Sequence, residues 1–414
     1  MAHKILFVAN TAKEHLNKFH LPAIRALKAR GWQVDCASNG DEPVPYCDHD
    51  YRMSWQRNPF SRDTFTGIRE LKALLAETHY DIIYCHTPTG GMVARIAARA
   101  ARKQGTKVVY CVHGLHFYRG APLKNWLVYF PAEKWLAGKT DAIFTVNRED
   151  YGTAYRMLSK ARKGLSEVEK AESKVFNEHS GVYRIPEVRL VPEVGINTAR
   201  LRTEDPAADR ARIRAQYQIP EDAFVMIYIA ELIPNKNQGM LLRALKILRD
   251  GGRNAHLVLV GPDHASGVYQ KEAAELGLAD RVTFTGWQSD IGPLLYASDV
   301  CTASSIREGF GINLAEAMYC GLPVVATDNR GHRMIVEDGV NGFLVPVDDS
   351  EAMAARVASL MDDRAFYARF ASRDASGYDA ERIAQEIADR LEALMDDPDP
   401  FRRFGGVDVE KNDC

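Results

Sequence analysis

The segment Arg307-Glu308-Gly309-Phe310-Gly311-Ile312-Asn313-Leu314-Ala315-Glu316-Ala317-Met318 lies between two short apolar runs, residues 299–303 and 324–327. Gly-Phe-Gly opens a helix predicted over residues 312–320, and Gly321-Leu322-Pro323 stops it. Strand, bounded helix, strand is the βαβ unit of a parallel sheet with right-handed crossovers.

The same plan continues outward in both directions. Strands are predicted at 224–229, 256–260 and 282–285, with helices at 238–248 and 268–276 between them. Toward the N-terminus, strands are predicted at 4–10, 33–37, 81–86, 107–112 and 141–146. Helices fall between these strands: one carries Leu21, Ile24 and Leu27 on a single face, and others cover 67–77 and 92–103. The polar stretch 41–57 reads as a connection, and residues 159–174 as a very polar helix. An amphipathic helix with Ile383, Ile387, Leu391 and Leu394 on one stripe closes the chain. The expected architecture is α/β, with two Rossmann-like doubly wound parallel-sheet domains over residues 1–198 and 199–378. A helix at 379–398 is expected to pack back toward the first domain, ahead of a polar tail at 399–414. Doubly wound sheets bind ligands beyond the carboxyl ends of their strands, so the site is expected in a crevice shared by two such sheets.

Composition removes several function classes. With 414 residues, 46% apolar and 26% charged, the chain exceeds one ordinary domain and can bury two cores. No stretch approaches the ~20 apolar residues of a membrane span. The apolar run at residues 5–9 is too short for a signal peptide and reads as the first strand. Seven cysteines without a CxxC pair or metal spacing imply reduced thiols and a cytoplasmic location. A nicotinamide dehydrogenase is excluded, because the first strand runs into Asn10-Thr11-Ala12-Lys13-Glu14 without Gly-x-Gly-x-x-Gly. Nucleic acid is not an expected partner, since no recognition module is present. Residues 1–200 hold 30 Lys and Arg against 20 Asp and Glu, whereas the remainder holds 23 against 35. A basic half joined to an acidic half points to an anionic partner for the first.

The chemistry concentrates around Glu308. Glycines at 309 and 311 let backbone approach a ligand closely, and the free N–H groups at the helix start favour an anion such as a diphosphate. Glu316, about one turn in, could accept hydrogen bonds from ribose hydroxyls, and Glu308 from a sugar hydroxyl. His113 stands where a parallel strand ends, the position at which reactive groups collect. His86 and Gly90-Gly91 read as structural, the latter as a plain turn.

The Glu-x7-Glu segment resembles the donor-site signature of family-4 retaining glycosyltransferases, which have the GT-B fold. Supporting segments span nearly the whole chain: Phe19-His20-Leu21-Pro22, Val194-Gly195-Ile196-Asn197 and Val282-Thr283-Phe284-Thr285-Gly286-Trp287. His113-Gly114-Leu115-His116-Phe117-Tyr118-Arg119-Gly120 is similar to the family's bacterial exopolysaccharide and capsule branch. The resemblance implies transfer of a hexose or N-acetylhexosamine from a nucleotide sugar, UDP-linked, to a glycan or polyprenyl-diphosphate-linked acceptor in surface-polysaccharide synthesis. It implies that His113 and Glu308 are catalytic, and that Lys236, Gly309, Phe310, Gly311 and Glu316 bind the donor. In the family a leaving phosphate oxygen takes the acceptor proton, so neither a metal nor another cofactor is expected. An inverting mechanism would instead use a carboxylate base, for which Asp150 and Glu149 are available. The alternatives are a catalytically weakened sugar-nucleotide-binding protein or partner subunit, and a GT-B-fold UDP-sugar epimerase.

One residue departs from the family pattern. Glu231 occupies the position where the family carries an arginine beside the lysine, and a glutamate cannot bind phosphate. Either Lys13, Lys18 or Arg119 substitutes for that cation, or Glu231 points away from the donor, or the enzyme is weakened. On the acceptor side, Leu123, Trp126, Leu127, Tyr129, Phe130 and Trp135 lie among Lys124, Lys134 and Lys139. That pattern suits either core packing or peripheral docking on an anionic membrane, at the inner face of the cell membrane.

Overall fold

Ile82-Ile83-Tyr84-Cys85-His86 is buried at every position, the pattern of a strand covered on both faces by helices. The computed structural model describes residues 2–118, 120–163, 187–191, 194–371 and 375–396. The chain divides into two units, one of residues 1–193 with 381–414, the other of residues 194–380.

The sheet of the first unit holds β1 (Lys4–Thr11), β2 (Gln33–Asn39), β3 (His49–Arg52), β4 (Ile82–His86), β5 (Lys107–Val112), β6 (Ala142–Thr145) and β7 (Glu187–Leu190). All its strands pair in parallel, in the order β3-β2-β1-β4-β5-β6-β7. In the second unit the strands are β8 (Phe224–Ile229), β9 (Ala255–Val260), β10 (Val282–Gly286), β11 (Val300–Ala303), β12 (Val324–Thr327) and β13 (Phe343–Val345). Their order is β10-β9-β8-β11-β12-β13, again parallel. In each sheet the winding reverses beside the first strand, between β1 and β4 and between β8 and β11. These switch points are where doubly wound sheets open a crevice for a ligand.

From Glu381 onward the closing helix, Ala380–Asp396, belongs to the first unit. Its stripe of Ile383, Ile387, Leu391 and Leu394 is buried with Ile5, Leu16 and Leu27. Each such side chain contributes about 1.5–3 kcal/mol. Arg30 secures the polar edge through Asp389 and Glu392, both at 2.7 Å. The predicted polar tail lies outside the described residues.

Several elements depart from the sequence-based expectation. The stretch read as a connection contains β3, an edge strand whose polar residues pair only with β2. Residues 12–20, assigned no element from the sequence, form the π-helix Ala12–His20. The polar helix starts earlier than expected, at Arg148, and the later part of the predicted segment lies outside the described residues. The helices Pro206–Gln216, Ser350–Asp362 and Arg364–Phe370 were not anticipated. Each is capped by an aspartate that accepts a backbone N–H: Asp205, Asp349 and Asp363.

Candidate active site

In the second unit, two loops at the switch point are fastened to each other. Ile306 donates its N–H to Asn235 O (2.9 Å), Ser304 Oγ donates to Lys236 O (2.7 Å), and Asn235 Nδ2 donates to Arg307 O (3.0 Å). This fastening brings the Lys236 ammonium onto the Glu308 carboxylate, with side chains 22% and 18% exposed. Both groups are therefore sheltered yet reachable. Glu308 Oε1 also accepts from Ser305 Oγ at 2.6 Å, and Ser305 Oγ lies 2.6 Å from the buried Tyr228 hydroxyl on β8.

The segment after β12 supports Glu308 from behind. Thr327 Oγ1 and Asn329 Nδ2 both donate to Ser305 O, at 2.6 and 3.0 Å. A side chain at Gly331 would place its Cβ 2.6 Å from Glu308 Cβ, so only glycine allows this approach. Arg330, a buried cation that the sequence reading passed over, donates Nε to Glu308 O at 3.2 Å.

Gly311 caps the helix Ile312–Tyr319 with φ −111°, a conformation open to any residue. Space is tight there: a Cβ would stand 3.1 Å from Leu314 Cδ1 and 3.4 Å from His332 Cδ2, so those side chains would have to give way. Phe310 packs edge-on against Tyr378 at 6.0 Å. Glu316 follows in the second turn, where burial pushes its carboxyl up to about 7 against the opposing pull of Arg200. The structure thus gathers Lys236, Glu308 and the Gly309–Gly311 turn with the helix that carries Glu316, all in the second unit.

Glu231 is exposed, and its carbonyl accepts from Gln238 Nε2 at 2.8 Å. Of the cations considered as replacements, Lys13 pairs with Glu42 at 2.9 Å and Lys18 with Glu14, both within the first unit. Arg119 lies outside the described residues.

His113 belongs to the first unit, just past β5. Burial lowers its imidazole to about 4, so the ring is neutral at pH 7. The loop that follows is held by Asp150, which is buried and accepts from Leu115 N at 3.2 Å and from Asn147 Nδ2 at 2.7 Å. Asp150 therefore positions the histidine loop. His116 stacks on Tyr129 at 4.7 Å. Gly90 and Gly91 form no simple turn; they lie in the helix Pro88–Ala97 and press on neighbours. A Cβ at Gly90 would sit 2.9 Å from Ala9 C, and one at Gly91 would sit 2.4 Å from the Tyr110 ring.

Four histidines come together in this unit. His15 and His20 on the π-helix meet His86 at the end of β4 and His113 after β5, and one ring nitrogen of each lies within 4.8 Å of the others. No cysteine spacing announced the group. The i→i+5 bonding of the π-helix, which places His15 beside His20, is not a pattern that sequence periodicity reveals.

The aromatic helix Leu123–Ala137 divides its residues. Trp126 and Phe130 pack on Phe117, at 5.6 and 5.3 Å. Leu123, Leu127, Val128, Tyr129 and Trp135 are exposed. No helix among the described residues is long and apolar enough to cross a membrane.

Comparison with known proteins agrees with both units. Residues 4–147 match the family "Glycosyl transferase 4-like" and residues 209–376 the family "Glycosyl transferases group 1". EpsD of Bacillus subtilis (strain 168), named as a glycosyltransferase, is 40% identical over 399 residues, covering 96% of this chain and 98% of its own. A D-inositol 3-phosphate glycosyltransferase of Streptomyces avermitilis is 29% identical over 331 residues, 77% of this chain and 66% of its own. Among solved structures, Anabaena Alr3699/HepE, in complex with UDP and glucose, aligns with a TM-score of 0.72 at 22% identity, over 95% of this chain and 100% of its own. WaaG, a glycosyltransferase involved in lipopolysaccharide biosynthesis, aligns with a TM-score of 0.63 at 18% identity, over 93% and 98%. With two Rossmann-like sheets and family matches in both units, the chain belongs to the family-4 glycosyltransferases of the GT-B fold.

Proposed function

We propose that this glycosyltransferase moves a hexose or N-acetylhexosamine, with retention, from a UDP-sugar to a glycan or polyprenyl-diphosphate-linked acceptor in exopolysaccharide synthesis. The observation that carries the reading is the Lys236–Glu308 pair, held at the β8/β11 switch point beside the start of the helix Ile312–Tyr319. Breaking the anomeric C–O bond leaves negative charge on the diphosphate. A fixed ammonium such as Lys236 lowers that barrier, an effect worth roughly 3–4 kcal/mol for a well-placed group. Glu308 then accepts from sugar hydroxyls, the N–H groups of Gly309–Gly311 face sugar and phosphate, and Glu316 accepts from ribose. The HepE complex with UDP supports UDP as the nucleotide, and the likeness of residues 113–120 to the family's exopolysaccharide branch supports the polysaccharide setting.

His113 serves as a neutral hydrogen-bonding group, in keeping with its lowered imidazole. Asp150, the carboxylate that an inverting scheme would enlist, is occupied with loop amides. This favours proton transfer to a leaving phosphate oxygen, a scheme that places no demand on a metal. We further propose that the exposed apolar residues of Leu123–Ala137, flanked by Lys124, Lys134 and Lys139, rest on the anionic inner face of the cell membrane.

A saturation-transfer NMR screen over UDP- and GDP-sugars, followed by turnover of the best donor, tests the assignment. Glu308→Ala and Lys236→Ala should abolish turnover of the donor that binds. If no nucleotide sugar binds the wild-type chain, the reading falls.

A further inference from the structure

We propose that His15, His20, His86 and His113 form a binding site for one divalent transition-metal ion of the zinc type, which ties the π-helix Ala12–His20 to the ends of β4 and β5. The four ligand nitrogens lie within 4.8 Å of one another. His113 Nε2 and His86 Nδ1 are 3.4 Å apart. Zinc–nitrogen bonds of 2.0–2.1 Å set the edge of a tetrahedral site at about 3.3–3.4 Å, so this pair already has the required spacing. The wider pairs close by rotation of the rings.

A second observation points to a ligand. Among the described residues, fully buried His20 finds a hydrogen-bond partner for neither ring nitrogen, and buried His15 finds none for Nε2. Buried polar atoms are normally satisfied, and an unsatisfied ring nitrogen from each of these two histidines is what a cation beside them would complete. Imidazole ligands suit zinc, copper, iron and nickel, and four of them close the coordination shell. A closed shell leaves no position for water, so the role is structural. Binding through Nε2 would fix the His113 proton on Nδ1 and make that nitrogen a donor.

The inference shares His113 with the proposed function, but it is measured without a nucleotide, so its failure and that of the donor reading are distinguishable. Untagged full-length protein, stripped with a chelator, is titrated with Co2+ and followed by visible absorption. One Co2+ per chain should give the intense bands of tetrahedral coordination, and Zn2+ should displace it. Zn2+ should raise the melting midpoint, whereas Mg2+, which requires oxygen ligands, should not. The double variant His15→Ala/His20→Ala, with its fold checked by circular dichroism, should lose both responses. A colourless titration, or equal responses in the double variant, overturns the proposal. X-ray absorption on the Zn2+-loaded wild type does not depend on any variant folding. Four nitrogens at about 2.0 Å support the site, and an oxygen-dominated shell overturns it.

Discussion

Replacing Glu316 by glutamine should make the protein more stable and a poorer binder of UDP at the same time. Burial lifts the Glu316 carboxyl from its ordinary value of 4.5 to about 7. In the unfolded chain it titrates near the ordinary value. The protonated form therefore stabilises the fold in acid, and that contribution is lost as the pH climbs from about 4.5 to about 7. Above pH 7 the fold holds a half-buried carboxylate, at a cost of about 3 kcal/mol from the displaced titration, or about 2–3 kcal/mol once residual solvent access is counted. Glutamine keeps the shape and removes the charge. Urea denaturation should show Glu316→Gln gaining about 2–3 kcal/mol at pH 8 and less than about 1 kcal/mol at pH 5. If ribose hydroxyls donate to this carboxylate, the variant loses hydrogen bonds to a charged acceptor worth about 1.5–3 kcal/mol, or roughly 10- to 150-fold in Kd. Calorimetric titration with UDP at pH 8 measures that loss. A stability gain equal at both pH values would refute the titration argument, and unchanged UDP affinity would refute the placement of ribose.

Three further outcomes are expected. A double-mutant cycle with Lys236→Ala and Glu308→Ala should give a stabilising coupling of about 1–3 kcal/mol in urea, and saturating UDP should shrink it as the diphosphate takes up the ammonium; a coupling indifferent to UDP would separate the pair from the donor. Gly91→Ala should cost about 1–3 kcal/mol in the same assay, because the new methyl meets the Tyr110 ring, pinned on its face by Arg95 at 3.8 Å. A loss below about 0.5 kcal/mol would mean that the helix Pro88–Ala97 shifts freely on the sheet. Vesicles containing anionic lipid should sediment the wild-type protein at low salt and retain much less of Leu127→Asp/Trp135→Ser, whereas absence of wild-type binding would remove the membrane from the acceptor model.

The parallel sheets were legible because covered strands leave a strong trace. Runs such as Phe224–Ile229 are apolar throughout, and glycine or proline punctuates the helices between them. The donor-side segment was legible for a related reason, since a glycine pair and two glutamates around one helix start have few bland explanations. Two of its glycines carry packing that the sequence did not show. Gly311, expected to serve ligand approach, also packs tightly against Leu314 and His332. Gly331, whose absent side chain lets the β12 loop press on Glu308, gave no signal at all, because a close approach between distant segments leaves no local pattern. Edge strands β3 and β7 escaped for the opposite reason: each pairs on one side only, and β3 carries the polar residues of a surface.

The two switch points call for different kinds of inference. At β8/β11 the polar groups are mutually satisfied: an ammonium on a carboxylate, a serine between that carboxylate and a tyrosine, and a threonine and an asparagine on the serine carbonyl. Under the proposed function, a ligand entering there exchanges these partners for its own, offering an anion to Lys236 and hydroxyls to Glu308. At β1/β4 the balance is reversed. His15 and His20 bring ring nitrogens into a buried space without returning a partner to each, so a ligand there completes bonds instead of exchanging them. Exchange favours a substrate that must leave after each turnover, and completion favours a resident ion. The same sheet topology can therefore hold a transient ligand in one unit and a permanent one in the other, with the choice set by whether the loops at the strand ends arrive already paired.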